Sequence, residues 1–444
     1  MKVGIVSLGC VKNQVDTEEM LSFLKEGGFD FVPDASQAEV LIVNTCGFIT
    51  SAKEESIDAI LEMAELKKTG RCQVLCVTGC LAQRYEQELL DGIPEIDVLT
   101  GVSQYPVLPE LIRGALKGER ASDTTRTKDF NTCGRVLTTP AYSAYVRIAE
   151  GCDNRCAYCA IPGIRGGFRS RPLDDILTEM QGLAEKGARE QILIAQDTSR
   201  YGQDLKNTSL AGLLGAASAI PGIDWLRVLY CYPDEIDESL IDLMADRPNI
   251  CRYLDLPLQH ASPRLLKRMN RRGDINRTRH LLTYARDRGF ALRTTMIVGF
   301  PGETQVDVDL LTSFMEEMRF DRLGAFAFSP EEGTPAEKMP GQVPEDVKAG
   351  RLEMVMRLQA DISLQRNRLR VGSTETLLIN RREGGQYIAR SQWEAPDSDG
   401  IIRLESDNML KPGDMVKGLI TQADTYDLKA RMIQGQGGSN ESAQ

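Results

Sequence analysis

The chain has 444 residues, eleven cysteines, two histidines and a formal net charge of −11. That length exceeds one typical hydrophobic core, so two or three domains are expected, and the acidic balance argues against a surface built to neutralise many phosphates, favouring a basic partner while leaving room for a local basic groove. No run approaches the roughly eighteen apolar residues of a membrane span, and the stretch 3–8 before Ser7-Leu8-Gly9-Cys10 is too short for a signal. Many cysteines without such a signal fit a reducing cytoplasm, where thiols serve as metal ligands or catalysts more often than as disulfides.

Apolar runs at 3–8, 40–43 and 74–77 alternate with helical patterns around 15–25, 52–67 and 81–90, which predicts a small open parallel α/β domain over residues 1–117. Each of the three strands runs into a cysteine: Gly9-Cys10, Thr45-Cys46 and Gly79-Cys80. Parallel strands place their carboxyl ends on one edge, and open α/β sheets bind ligands beyond that edge. Cys10, Cys46 and Cys80 are therefore expected to converge. Cys72 and Cys76 form a competing evenly spaced series with Cys80, but Cys76 lies inside the third strand and Cys72 at its opposite end. Both read as small buried hydrophobes. Residues 118–134 are polar and turn-rich and read as a linker, with Cys133 incidental within it.

Strand-like runs at 145–148, 191–195, 225–230, 253–258, 292–298 and 323–328, with helical segments between them, fit an open, partial TIM-type (βα)6 barrel over residues 135–372. Chemistry in such folds gathers at the carboxyl ends of the strands, and the first strand leads into Gly151-Cys152-Asp153-Asn154-Arg155-Cys156-Ala157-Tyr158-Cys159. A closed zinc site wants four ligands, and no fourth cysteine lies nearby; three thiolates on a cube of four irons leave one iron open. A ferredoxin run would carry a fourth cysteine followed by proline, which is missing here. Later strand ends carry Gln196-Asp197-Thr198, Gln259-His260 and Gly299-Phe300-Pro301-Gly302. The glycines allow close approach to a ligand, and Gly-Phe-Pro-Gly fits a turn before a helix equally well. Arg271 and Arg272 fit either an anion contact or a solvated helix end. His260 reads as a structural hydrogen-bonding group and His280 as exposed. Residues 344–370 have the periodicity of a packing helix leading out of the barrel.

Five short strand patterns at 374–379, 386–391, 400–404, 415–422 and 427–433, separated by glycine and proline turns, predict an antiparallel β-barrel over 373–434. Residues 371–434 hold eight Lys or Arg against ten Asp or Glu, which suits a basic protein better than RNA. Residues 435–444 form a polar tail, expected to be disordered.

The spacing of Cys152, Cys156 and Cys159 matches the radical S-adenosylmethionine (SAM) signature, and Asp153-Asn154, Ala160-Ile161-Pro162-Gly163-Ile164-Arg165-Gly166 and Arg169-Ser170-Arg171-Pro172 resemble the methylthiotransferases, within them the branch that modifies a ribosomal protein. Gly9-Cys10-Val11-Lys12-Asn13, Asn44-Thr45-Cys46-Gly47-Phe48 and Thr78-Gly79-Cys80 resemble the three blocks that hold the family's auxiliary cluster. A proline is common where Val11 stands, a departure that touches no ligand. Tyr387-Ile388-Ala389-Arg390, Ala395-Pro396-Asp397 and Asp399-Gly400 resemble the accessory TRAM barrel, with Ala389 where relatives usually have glycine.

The resemblance implies two [4Fe–4S] clusters, a catalytic one on Cys152, Cys156 and Cys159 and an auxiliary one on Cys10, Cys46 and Cys80, with two SAM molecules consumed per turnover. It places Tyr158 near the adenine, Gln196 near the amino-acid part and Gln259 near the ribose of SAM; Gly299 is expected near the same cofactor from its own place at a strand end. The implied reaction adds a methylthio group to the β-carbon of an aspartate in ribosomal protein S-twelve; an unactivated C–H bond needs radical chemistry from a cofactor. The implied partners are that basic protein and an electron donor such as a flavodoxin or ferredoxin, with no membrane. Two rivals stay open: a tRNA methylthiotransferase acting on C2 of an N6-modified adenosine, which shares the fold and both clusters, and a non-catalytic electron carrier, which would not cleave SAM.

Overall fold

The computed structural model describes residues 1–127, 129–130 and 134–433; Cys133 and the tail 435–444 lie outside them. The first region is a six-stranded parallel sheet made of Lys2–Ser7, Asp30–Phe31, Val40–Thr45, Val74–Gly79, Val98–Thr100 and Ala121–Asp123, in spatial order 2-1-3-4-5-6. Val40–Thr45 and Val74–Gly79 are buried at every position, because both faces carry helices. Leu41, Val43, Leu75 and Val77 pack with Ile60 and Met63 of the helix Thr50–Thr69 on one side. Val40, Ile42, Val74 and Cys76 pack on the other with Met20 and Leu24 of Val11–Glu26 and Ile112 of Leu108–Ala115. Cys72 and Cys76 both belong to these cores.

The sheet extends beyond the three strands legible in the sequence, and residues 121–123, read there as linker, form its last strand. Ala121-Ser122-Asp123 has no apolar pattern to announce it. It is recruited because the exposed edge of Val98–Thr100 needs backbone partners, and Leu99 pairs with Ser122.

The central region carries six parallel strands in chain order: Ser143–Arg147, Glu190–Ile194, Trp225–Val228, Tyr253–Asp255, Ala291–Val298 and Arg322–Ala327. The first three and the last three form separate hydrogen-bonded sheets, joined by the Leu226–Ile250 bridge and by the Cys231 N–H donating to the Asp255 carbonyl at 3.0 Å. The third and fourth strands stop short of the expected 225–230 and 253–258. Tyr230 (φ 63°) and Gln259 (φ 73°) adopt left-handed backbone just past them and turn the chain across the mouth. Glu345–Arg368 packs Val355 and Ile362 into the barrel's outer core.

The interior of the barrel is filled from three directions. Tyr145, Ile192, Trp225 and Tyr253 meet Val15 from the first region and Leu378 and Ala395 from the last. At the carboxyl ends of the strands, buried Glu331 binds Lys53 Nζ at 2.8 Å and the Thr50 N–H at 2.9 Å, clamping the first region over the mouth.

The last region is a closed barrel of Thr374–Glu383, Gln386–Arg390, Ile402–Glu405, Met415–Ala423 and Leu428–Met432. It is not wholly antiparallel: Ile402–Glu405 pairs with Leu428–Met432 in parallel, which is what closes the ring. Its attachments fall at the amino ends of the large barrel's strands, where Glu190 accepts from Arg390 at 2.8 Å and Glu394 pairs with Arg322 at 2.9 Å. This places it at the end of the barrel opposite the mouth.

Candidate active site

Three short connections after the sheet strands bring the first cysteines together. Cys10 caps the helix Val11–Glu26, Cys46 follows Val40–Thr45, and Cys80 opens the helix Cys80–Arg84. The approach is so close that side chains are excluded between them. A Cβ on Gly9 (φ +88°) would lie 2.8 Å from the Cys46 Cβ, and one on Gly47 would lie 2.8 Å from the Leu81 backbone beside Cys80. Asn13 binds the loops from within, donating to the carbonyls of Leu8 at 3.1 Å and Thr45 at 2.9 Å.

The second trio comes from one loop. Cys152 donates its N–H to the Gly166 carbonyl at 3.1 Å, and the Cys159 N–H closes a turn on the Cys156 carbonyl at 3.0 Å. All six cysteines of the two trios line one cavity of about 350 Å³ at the carboxyl ends of the barrel strands. Burial pushes the thiols of Cys80 and Cys159 up to about 12 and that of Cys152 up to about 11, and it raises Cys46 as well. Metal uptake would therefore displace their protons.

A buried ion network ties the two trios. Arg165, six residues past Cys159, donates to Asn13 Oδ1 and Asp16 at 2.7 Å, to Glu150 at 3.1 Å and to Cys80 Sγ at 3.5 Å. Arg147 completes it with Asp16, with Glu19 at 2.6 Å and with Glu150 at 3.0 Å. Burial would raise Glu150, but the two guanidiniums outweigh it and hold the carboxyl at about 2. The carboxylates of the first region are thus neutralised by arginines of the second.

Of the residues expected to meet SAM, Tyr158, Gln196 and Gln259 line the cavity. Gln196 donates Nε2 to Glu150 at 2.9 Å, and its buried Oε1 has no partner among the described residues. Gly299 is not among the lining residues. Its N–H is taken by Glu303 at 2.8 Å, and a Cβ there would lie 2.3 Å from Lys348, so the glycine makes room for a packed lysine stem. His260 is buried, and its Nδ1 accepts the N–H groups of Ala261 and Ser262, both at 2.9 Å. His280 lies on the surface against Glu238.

Three cations complete the lining. Arg271 is buried over the Tyr232 ring, donating to Tyr158 Oη at 3.2 Å and to the Pro257 carbonyl at 2.6 Å, so it is no solvated helix end. Arg165 and Lys12 carry no role in the sequence reading, although Lys12 stands inside the 9–13 block and Arg165 in the 160–166 block that follows Cys159. The available signal is a charged residue within two to six positions of a cysteine motif.

Comparison with known proteins agrees with this arrangement. Residues 2–101 match the family described as Uncharacterized protein family UPF0004, residues 146–315 the Radical SAM superfamily and residues 371–433 the TRAM domain. The chain is 48% identical over 442 residues to the ribosomal protein uS12 methylthiotransferase RimO of Desulforamulus reducens, covering 97% of this chain and 99% of that one. The namesake of Desulforudis audaxviator is 47% identical, covering 97% of each. The chain belongs to the RimO methylthiotransferase family. Its fold is shared with the radical SAM methyltransferase TsrM of Kitasatospora setae, at TM-score 0.58 and 16% identity over 76% of this chain and 73% of that one.

As a radical SAM methylthiotransferase, this member of the RimO family is an enzyme that uses a [4Fe–4S] cluster and SAM. The donor set fits such a group. A cube of irons takes each thiolate at a different corner, and Cys152, Cys156 and Cys159, all from one loop, line the same cavity. No helix among the described residues is long and apolar enough to cross a membrane.

Proposed function

We propose that this enzyme adds a methylthio group to the β-carbon of an aspartate in ribosomal protein uS12, using two [4Fe–4S] clusters held by Cys152, Cys156 and Cys159 and by Cys10, Cys46 and Cys80. The observation that carries the reading is that both trios line one cavity, so a single substrate carbon can meet both sets of ligands. When bound, the first cluster with SAM supplies a carbon radical able to remove hydrogen from an unactivated C–H bond, and the second supplies the sulfur, with the methyl group coming from a second SAM.

The protein's own part is binding, orientation and charge. The unpartnered Oε1 of Gln196 is a buried acceptor suited to the SAM ammonium. Tyr158, held by Arg271 and packed edge-on to Phe300, offers a rigid wall for the adenine, and Gln259 faces the same space for the ribose. Asp197, fixed by Asn154 at 2.7 Å, closes the side next to Cys152. Arg165 donates toward Cys80 and so stabilises its thiolate form, the form that binds iron. An electron donor such as a flavodoxin or ferredoxin reduces the clusters, and the enzyme works in the cytoplasm with its ribosomal substrate. The uS12 reading is supported by the names of the relatives and by the acidic balance of the last barrel, which suits a basic protein.

The test is mass analysis after incubating anaerobically reconstituted enzyme, SAM and a reductant with uS12 and with bulk tRNA in parallel. A methylthio adduct on a uS12 aspartate is expected. An adduct on tRNA adenosine alone would replace the substrate, and absence of 5′-deoxyadenosine from every reaction would reduce the protein to an electron carrier.

A further inference from the structure

Lys12 is the one cavity cation, among the described residues, that has neither an ion pair nor a hydrogen bond for its side chain. It stands two positions after Cys10 and is 8% exposed. Its ammonium rests 3.0 Å from the centroid of the Tyr230 ring, on the opposite, barrel wall. Arg165 is neutralised by Asp16 and Glu150, and Arg271 is held by the Pro257 carbonyl and Tyr158. Lys12 lacks any such partner.

Three costs oppose this placement. An ammonium withdrawn from water without a counter-ion is disfavoured. Lys12 lies in the first turn of Val11–Glu26, at the positive end of the helix dipole. Arg165 lines the same cavity and repels it. The charges that most favour the ammonium are those of Cys10 beside it and of Asp255, which is already paired with Arg293. Lys12 thus keeps its hydrogen-bonding capacity for an anion that enters the cavity, and side chains held against local rules in this way mark functional sites. In the proposed reaction, which this inference rests on, the attacked carbon is directly bonded to a carboxylate, that of the substrate aspartate. That anion has to lie between the trios when its β-carbon does, and Lys12 spans the same cavity from the Cys10 connection to Tyr230 just past the third barrel strand.

We propose that Lys12 reads the side-chain carboxylate of the substrate aspartate and thereby selects aspartate and positions its β-carbon. An ammonium on a flexible stem suits this task, since it can follow a small carboxylate as a point charge.

The test uses enzyme carrying its clusters, fluorescently labelled uS12, and uS12 in which the modified aspartate is replaced by asparagine. Dissociation constants are measured for wild type, K12Q and K12R, alongside iron content and SAM affinity. Wild type is expected to prefer the aspartate form by roughly 30-fold or more, the loss typical of an unpaired buried charge. K12Q should bind both forms alike, and K12R should keep part of the preference. Absence of the preference in wild type overturns the inference without any enzyme variant, as does its persistence in K12Q. Loss of the preference in K12Q together with the iron of the Cys10 trio, or with SAM affinity, assigns Lys12 to that group instead and also overturns it. Failure of wild type to modify uS12 at all strikes the proposed reaction, a separate result read by mass analysis.

Discussion

The two cysteine trios reach one cavity by opposite routes. Cys152, Cys156 and Cys159 belong to a single loop, whose geometry is set by short-range turns such as the Cys159 N–H on the Cys156 carbonyl. Cys10, Cys46 and Cys80 are scattered over three βα connections, and they meet only because parallel strands end on one edge and Gly9 and Gly47 let the connections touch. A local trio can survive changes elsewhere in the fold, whereas a scattered one is a product of the sheet. The difference also explains the ion network: Arg165, carried by the local loop, crosses to Asp16, Asn13 and Cys80 and fixes the scattered set against it.

The most severe way to break this comparison is to remove one thiol from each trio. Cys156→Ala should abolish 5′-deoxyadenosine formation, while Cys10→Ala should retain part of it and lose methylthio transfer, each with roughly half of the iron. Product formation by either variant would contradict the assignment.

Arg165→Met cuts the link between the trios. It leaves Asp16 short of one partner and Glu150 with Arg147 as its remaining guanidinium, and should lower stability in denaturant by about 3–5 kcal/mol, with the larger iron loss on the scattered trio. Equal loss from both trios would mean that Arg165 supports the fold without favouring either.

The opposite end of the barrel, free of both trios, supplies a reference. Burial raises Glu394, but Arg370 and Arg322 dominate and hold it at about 2. A carboxylate depressed in the folded state stabilises above its unfolded value, near 4.5, and loses that contribution as pH falls toward 2. On the order of 3 kcal/mol should disappear over this window, followed in metal-free protein through the emission of Trp393 and Trp225, which meet in the neighbouring core.

The smallest effect belongs to the rejected evenly spaced series. Cys76→Ser buries a hydroxyl among Ile42, Val74 and Val98 and should cost about 1–3 kcal/mol of stability with unchanged iron content. Iron loss there would reopen the choice between the series Cys72, Cys76 and Cys80 and the trio Cys10, Cys46 and Cys80.

Much of this architecture was legible because its signals are local. Apolar runs alternating with helical patterns marked the parallel sheet and the six barrel strands, and turn residues marked the last barrel. What escaped had no such pattern. The edge strand Ala121–Asp123 is polar and exists for its backbone, and the parallel closure of the last barrel depends on which strands become neighbours in space. Among the expected SAM contacts, Tyr158, Gln196 and Gln259 face the cavity, while Gly299 sits against Lys348. A glycine-rich turn has the same sequence whether it makes room for a ligand or for a neighbouring side chain.

The sequence by itself determined where the thiols are offered: a trio within eight residues, and three strands each leading into a cysteine. It also determined the order of the three regions, since hydrophobic periodicity is a property of consecutive residues. Only the tertiary structure decided that the two trios share one cavity, that Arg165 joins them, that the last barrel sits at the far end from that cavity, and that Lys12, among the described residues, lines the cavity with no ion pair or hydrogen bond for its ammonium. Those facts depend on which surfaces the packed domains bring face to face, and on which charges that packing leaves without partners.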